Sequence, residues 1–245
     1  MDVREQFGRE AEKYLTSKSH ANADELERLV ELAKPRGGPV LDVATGAGHV
    51  AFAFAPHASR TVAYDLTPEM LAIVARESEA RGLNIETVLG NAESMPFEDA
   101  TFEGVTCRVA PHHFANPQHF VNESFRVLAP GGWFLLVDTI GIDDDPGADD
   151  ALNSFEALRD PSHVRDYTVA QWISWVESAG FEVQFTYRAS FRHELEDWMD
   201  RMSVLEPART ILRNTVNFST GALMDYFQPE NGTFLLHQVT LLAVK

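Results

Sequence analysis

Between Val40 and Gly48 the chain reads VLDVATGAG, a short apolar run that turns through small residues. Glycine lets a backbone bend tightly and come close to a ligand, so Gly46 and Gly48 mark a turn against which a small molecule can lie. Alone, such a turn reads equally well as a bend with no ligand. Asp65 ends the next apolar run. A carboxylate at that point offers two acceptor oxygens to the two hydroxyls of a ribose; by itself it reads equally as a helix cap or a solvated acid. Two further runs, GNAESMPF from Gly90 and LAPGGW from Leu128, flank later strand signals.

His112 and His113 directly follow a fourth apolar run, and His163 lies in DPSHVR. A histidine beside a reacting atom is suited to general-base work, because its unperturbed pKa is close to neutrality. Of the adjacent pair His113 ranks first, since Pro111 and His112 still belong to the turn. Asp138, ending the fifth run, faces the same rim and could orient a histidine or a substrate hydroxyl. Arg165 could meet an anionic substrate group, or pair with Asp160 or Asp166. Adjacent histidines rarely share a metal, no carboxylate cluster accompanies them, and the single cysteine, Cys107, cannot build a thiolate site. No metal is expected. Trp198, Met199, Met202 and Leu205 recur at helical spacing, as a core stripe or as the lining of an apolar substrate pocket under a lid. Phe218, Tyr226 and Phe227 nearby favour an aromatic or prenyl-like substrate.

The elements that must position these residues alternate. A helix is expected over 22–33, stopped by PRGGP, then strands at Val40–Ala44, Thr61–Tyr64, Ile85–Leu89, Phe102–Cys107 and Trp133–Val137. Helices open at Val50, at Thr67-Pro68 (an N-cap followed by proline at the first helical position) and at Gln118. Alternation at this spacing predicts a parallel sheet with helices on both faces, its loops gathered on the rim at the strand carboxyl ends. The last third adds a helix over 170–179, a strand at Phe181–Tyr187, a mostly helical stretch from His193 to Phe227 and a terminal strand from Leu235. The acidic run Asp143–Asp145 with Asp149 and Asp150 reads as a solvated loop.

The 245 residues are 44% hydrophobic and 23% charged, enough for a sizeable core without disulfide or metal. The net charge of −17 repels phosphate backbones, so nucleic acid is not an expected partner. No apolar stretch reaches the roughly 18–20 residues of a membrane span. The start lacks the basic and apolar regions of a signal peptide, and a cytoplasmic protein is expected. The oligomeric state stays open.

The ordered set LDVATGAG, YD, GNAESMPF with the following DATFEGV, and LAPGGWFLLVD resembles the class I S-adenosylmethionine (SAM)-dependent methyltransferases. Within them it is most similar to the ubiquinone/menaquinone C-methyltransferase-like (methyltransferase type 11) branch, and CRVAPHHF with RDPSHVR resembles a bacterial subgroup. The resemblance runs from about Asp24 to Phe185, with a weaker match in the terminal strand. It implies an α/β fold: a doubly wound, seven-stranded, mostly parallel Rossmann-like sheet in a single domain over residues 1–245. Residues 1–23 would form an N-terminal cap and 190–230 a helical lid inserted before the last strand.

The resemblance also carries roles. Asp42, Ala44, Gly46 and Gly48 would line the methionine end of SAM, and Asp65 would hold the ribose hydroxyls. Leu66 would pack on the adenine, whose edge would meet Asn91 and Ala92. Cys107 and Arg108 would touch the methionine moiety through the backbone. His113, His112 and Asp138 are the candidate catalytic set, and His20, His163, Arg165, Trp198 and Met202 the candidate substrate contacts, His20 lying in a segment the family folds over its cofactor. The implied reaction moves a methyl group from SAM to carbon or oxygen of a small, mainly apolar or aromatic acceptor. Ala44 and Asn91 depart from the commonest cofactor residues, which leaves a SAM-fold binding or partner protein without methyl transfer as an alternative. An NAD-dependent dehydrogenase shares the glycine turn and later acid, but Asp42 inside the strand and the Pro-Gly-Gly turn favour SAM.

Overall fold

The computed structural model describes residues 22–245. His20 and almost all of the expected 1–23 cap lie outside the described residues. Helix α1 (Ala23–Ala33) is capped by Asn22, whose side chain accepts from the Glu25 N–H. Then come β1 (Gly37–Val43), α2 (His49–Phe54), β2 (Ala58–Asp65), α3 (Pro68–Ala80), β3 (Ile85–Leu89) and β4 (Phe102–Arg108). A 3-10 turn at Pro111–His113 leads to α4 (Pro117–Val127) and β5 (Leu128–Thr139). The remainder is α5 (Pro146–Arg159), α6 (Val169–Ser178), β6 (Glu182–Glu194), α7 (Leu195–Asp200), α8 (Ala208–Asn217), α9 (Gly221–Phe227) and β7 (Thr233–Val244).

The seven strands form one sheet in the order β3-β2-β1-β4-β5-β7-β6. The first five are mutually parallel; β7 runs antiparallel to both β5 and β6. Strand residues alternate between the faces. Leu41, Val43, Phe134 and Leu136 enter one core with Phe120 of α4 and Trp172 and Val176 of α6. Val40, Trp133, Leu135 and Val137 enter the other, against Leu29 and Ala33 of α1 and Val50 and Phe54 of α2. The connection order reverses between β1 and β4, which lie side by side with Val43 opposite Cys107. Chains leaving such neighbours diverge to opposite faces, so a crevice opens beyond their carboxyl ends.

Several strands are longer than expected, β5 running over Leu128–Thr139, and two departures bear on the insertion. The stretch around Asp149 is not a solvated loop but helix α5, started by Asp145, whose side chain accepts from the N–H groups of Gly147 and Ala148, with Pro146 next to it. Asp149 itself is buried, at 5% exposure. The insertion is helical only from Leu195, because β6 runs on to Glu194 in full register with β7. The helices of the insertion share a core of their own with α5: Leu152 and Phe155 meet Trp198, Met199, Leu212 and Phe227, with Phe234 and Leu236 of β7 beneath.

Candidate active site

The crevice between β1 and β4 is a cleft of about 290 Å³. Asp42, Ala44, Gly46, Asp65, Leu66, Asn91, Ala92, Arg108 and His113 are all on its wall. The structure therefore brings together, from four strand ends, residues spread over 72 positions of sequence. Gly48, Cys107, His112, Asp138, His163, Arg165, Trp198 and Met202 are not on that wall.

Asp42 shapes the turn. Its carboxylate accepts from Thr45 Oγ1 (2.6 Å), the Ala51 N–H (3.1 Å) and Thr106 Oγ1 (2.7 Å), joining β1, the turn, α2 and β4. Burial raises its pKa to about 6 against these donors. The turn runs in left-handed backbone at Gly46 (φ 53°) and Gly48 (φ 87°), and also at Ala44 (φ 52°), where glycine would be unstrained. At Gly48 a side chain would strike Phe52 and Val74 at 2.9 Å, so this glycine serves the packing of α2 and α3. Cys107 is fully enclosed beneath the cleft, and burial pushes its thiol well up, leaving it un-ionised.

Asp65 is held at the end of β2 by two backbone donors, the Gly46 N–H to Oδ2 and the Thr67 N–H to Oδ1, both 2.9 Å. The Thr67 hydroxyl and the Leu66 N–H also lie against the carboxylate and help to lower it. Burial nevertheless raises the carboxyl, more than the donors lower it. Asn91 stands at the mouth, where its Oδ1 accepts from the Glu93 N–H at 2.9 Å in an Asx turn. Its backbone carbonyl takes the Tyr64 hydroxyl at 3.0 Å. Arg108, at the end of β4, gives its Nε and Nη2 to the two carboxylate oxygens of Glu25 at 2.9 and 3.0 Å, tying α1 to the rim. Next to it Val109 adopts φ 54°, held by its N–H to the Val137 carbonyl at 2.7 Å. A β-branched residue there stores about 1–3 kcal/mol of strain, and such strain collects at functional sites.

The histidines sit at the other end of the cleft. His113 Nδ1 is 3.0 Å from the Ser162 carbonyl. A carbonyl only accepts, so Nδ1 carries the proton and Nε2 the lone pair. His112 lies behind it, ring centroids 4.1 Å apart, with Nδ1 2.7 Å from Asp138 Oδ1 and 3.3 Å from Thr139 Oγ1. Burial lowers both imidazoles, His112 to about 4, and raises Asp138 well above the carboxylate range. Both shifts act against ion pairing in the His112–Asp138 contact. His163 stacks on His112 at 5.7 Å with Nε2 3.1 Å from Asn153 Oδ1.

Other expected contacts lie elsewhere. Arg165 pairs with Asp149 and Asp150, not with Asp160 or Asp166. Trp198 and Met202 are enclosed in the core of the insertion. Among the described residues no group of three or more His, Cys, Asp or Glu is arranged to hold a metal, and no helix is long and apolar enough to cross a membrane. Glu25, Thr139, Glu156 and Asp166 were not singled out from sequence. Glu25 meets Arg108 and Thr139 meets Asp166 across long stretches of chain, and only the capping signal of Asp145-Pro146 with Leu152 and Phe155 at helical spacing marks the helix that carries Glu156.

Residues 41–136 match the methyltransferase domain family. An uncharacterized methyltransferase of Bacillus subtilis, YcgJ, is 34% identical over 197 residues, covering 80% of this chain and 78% of that protein. This chain belongs to the class I SAM-dependent methyltransferases. The solved structure of Bacillus subtilis YcgJ superposes with a TM-score of 0.85, at 30% identity, over 90% of this chain and 97% of that one. The demethylmenaquinone methyltransferase of Thermus thermophilus is 37% identical over 114 residues, 45% of this methyltransferase and 52% of that protein. The match of 41–136 spans the whole glycine turn, Asp65 and the histidine pair, while the insertion falls outside it.

Proposed function

We propose that the cleft holds SAM and that the enzyme transfers its methyl group to carbon or oxygen of a small, mainly apolar or aromatic acceptor. The observation that carries the reading is Asp65: a carboxylate on the cleft wall at the end of β2, fixed by the Gly46 and Thr67 N–H groups, of the acceptor type that two vicinal hydroxyls require. The residues fit the group in other ways. The left-handed turn at Ala44–Gly46 exposes backbone, and no atom lies within 4 Å of where a Gly46 side chain would project. Leu66, Ala92 and Phe114 give apolar surface, and Arg108 is a cation able to share its charge between Glu25 and a carboxylate.

Bound SAM supplies a methyl carbon on a sulfonium, whose thioether leaves readily. The protein's task is then alignment and proton removal. His113 lies on the cleft wall, with Nδ1 at the Ser162 carbonyl, and would take the proton from an acceptor hydroxyl as the new bond to the methyl carbon forms and the thioether leaves. Asp138 and Ser162 hold the two rings through their Nδ1 atoms. An aromatic acceptor suits the apolar wall of Val109, Ala110 and Phe114, and the name of the Thermus thermophilus relative points to a quinone-type acceptor for that enzyme.

Calorimetric titration with SAM and with S-adenosylhomocysteine tests the cofactor, and a screen of phenols and quinols with labelled SAM, read by mass spectrometry, tests the acceptor. Asp65→Ala is expected to raise the SAM dissociation constant at least about tenfold, since hydrogen bonds to a charged acceptor contribute about 1.5–3 kcal/mol each. An unaltered constant with a native circular dichroism spectrum assigns the ribose to another residue.

A further inference from the structure

Behind His112 lies a group of carboxyls that the methyl-transfer scheme does not use. Asp166, at 1% exposure, accepts the hydroxyl hydrogen of Thr139 in a short contact, and the same hydroxyl lies 3.3 Å from His112 Nδ1. The Asp166 N–H goes to Asn153 Oδ1 at 2.7 Å, so α5 grips the loop from below. Glu156, one turn further along α5, is 7% exposed. Asp166 Oδ2 and Glu156 Oε1 are both buried without a donor. Two buried carboxylates in one another's field cannot both ionise cheaply, whereas one proton between them supplies the missing donor.

Resting on the reading that the His112–His113 rim is the acceptor end, we propose that Glu156 and Asp166 share one proton and act as positioning residues, holding His112 through Thr139 and so the wall that carries His113. The surrounding charges fit a single shared proton. Burial is the largest influence raising Glu156, and the charge of Asp166 the next. Asp138 on β5 and Asp149 on α5 raise Asp166, and Asp160 raises Glu156. Against them stand Arg159, which lowers Glu156, and Arg165, which lowers Asp166. The neighbouring rings bring no charge: His112 and His163 are driven neutral, and the Tyr226 phenol is pushed up by burial and by both acids. Loss of the shared proton at alkaline pH sets two negative charges against each other where α5 meets the β5 end, and the support of His112 loosens.

Glu156→Gln supplies a permanent donor to Asp166 and cannot lose it; Asp166→Asn does the same toward Glu156 and still accepts from Thr139. The ratio of wild-type to variant kcat is expected to fall at least about threefold from pH 7 to pH 9, with the SAM dissociation constant the same in all three proteins. The infrared difference between wild type and Glu156→Gln is expected to show the carbonyl band of a buried protonated carboxyl in wild type at pH 7, fading by about pH 9. That band is read without turnover, so it tests the shared proton even if the acceptor or cofactor assignment fails. A kcat ratio flat with pH in both variants overturns the positioning role, and a wild-type band absent at pH 7 overturns the shared proton.

Discussion

In the proposed reaction His113 is a neutral base whose orientation is set before any substrate arrives. Its Nδ1 proton is committed to the Ser162 carbonyl, and burial keeps the ring from charging until well below neutral pH. A base of this kind is ready across the physiological range, and its weakness in the ground state is offset only as the acceptor becomes more acidic on methyl transfer. His113→Ala is expected to lower kcat by about 100-fold with SAM affinity little changed, as stopped assays and titration would measure. The loss should shrink at high pH, where a phenolic acceptor ionises unaided. If the Michaelis constant alone rises and the pH profile keeps its shape, His113 positions the acceptor instead. Asp42 also ties the turn to three elements, so its loss should disturb β1, α2 and β4 together.

At the level of elements, the insertion helices α7, α8 and α9 form with α5 a small core in its own right. Trp198 stacks on Phe155 at 4.9 Å and 9°, meets the edge of Phe234 at 5.1 Å, and carries the Arg159 guanidinium 4.4 Å above its ring. Trp198→Ala should therefore cost about 3–5 kcal/mol of stability by leaving a cavity, while Trp198→Phe costs less. Thermal melts of both variants, with SAM titrations beside them, check this: a lowered melting temperature with unchanged SAM affinity is expected. A raised acceptor Michaelis constant at an unchanged melting temperature would put the indole at the substrate. The same elements show where sequence is readable. The strands carrying VLDV, TVAY and FLLV are apolar on both faces because helices cover both, and Gly46 and Asp65 announce themselves by type and place. Helix α5 is hard to read because its acidic first turn also suits a solvated loop, while Leu152 and Phe155 pack on the insertion and on β7. The partnership of Arg165 with Asp149, and of Thr139 with Asp166, depends on packing across about 15 to 27 residues of intervening chain, which no local pattern encodes.

For the molecule as a whole, the buried ionisable groups oppose one another in their effect on stability, and the sign of each can be worked out. His112 is lowered to about 4 and His163 to about 3, against about 6.5 when unfolded. Between these values the unfolded chain binds more protons, so stability rises with pH up to about 6.5 and the histidine contribution then stays level. The carboxyls act in the other direction. Asp42 is raised to about 6 and Glu156 to about 8, with Asp138 and Asp166 raised as well, against about 4 when unfolded. Over that window the folded chain holds the extra protons, so stability falls as pH rises, and above about 6.5 only this fall remains. The melting temperature should therefore decline from about pH 6.5 toward about pH 8.5. The net charge of −17 would produce a decline of the same sign through self-repulsion, but exposed charges are screened within about 3 Å at 1 M salt while buried ones are not. Melting curves at pH 6.5 and 8.5, in low and in 1 M salt, separate the two causes. The decline is expected to survive in high salt and to be shallower in Glu156→Gln. Its disappearance in salt would mean that the enclosed carboxyls are already ionised at neutral pH and that surface repulsion alone sets the alkaline limit.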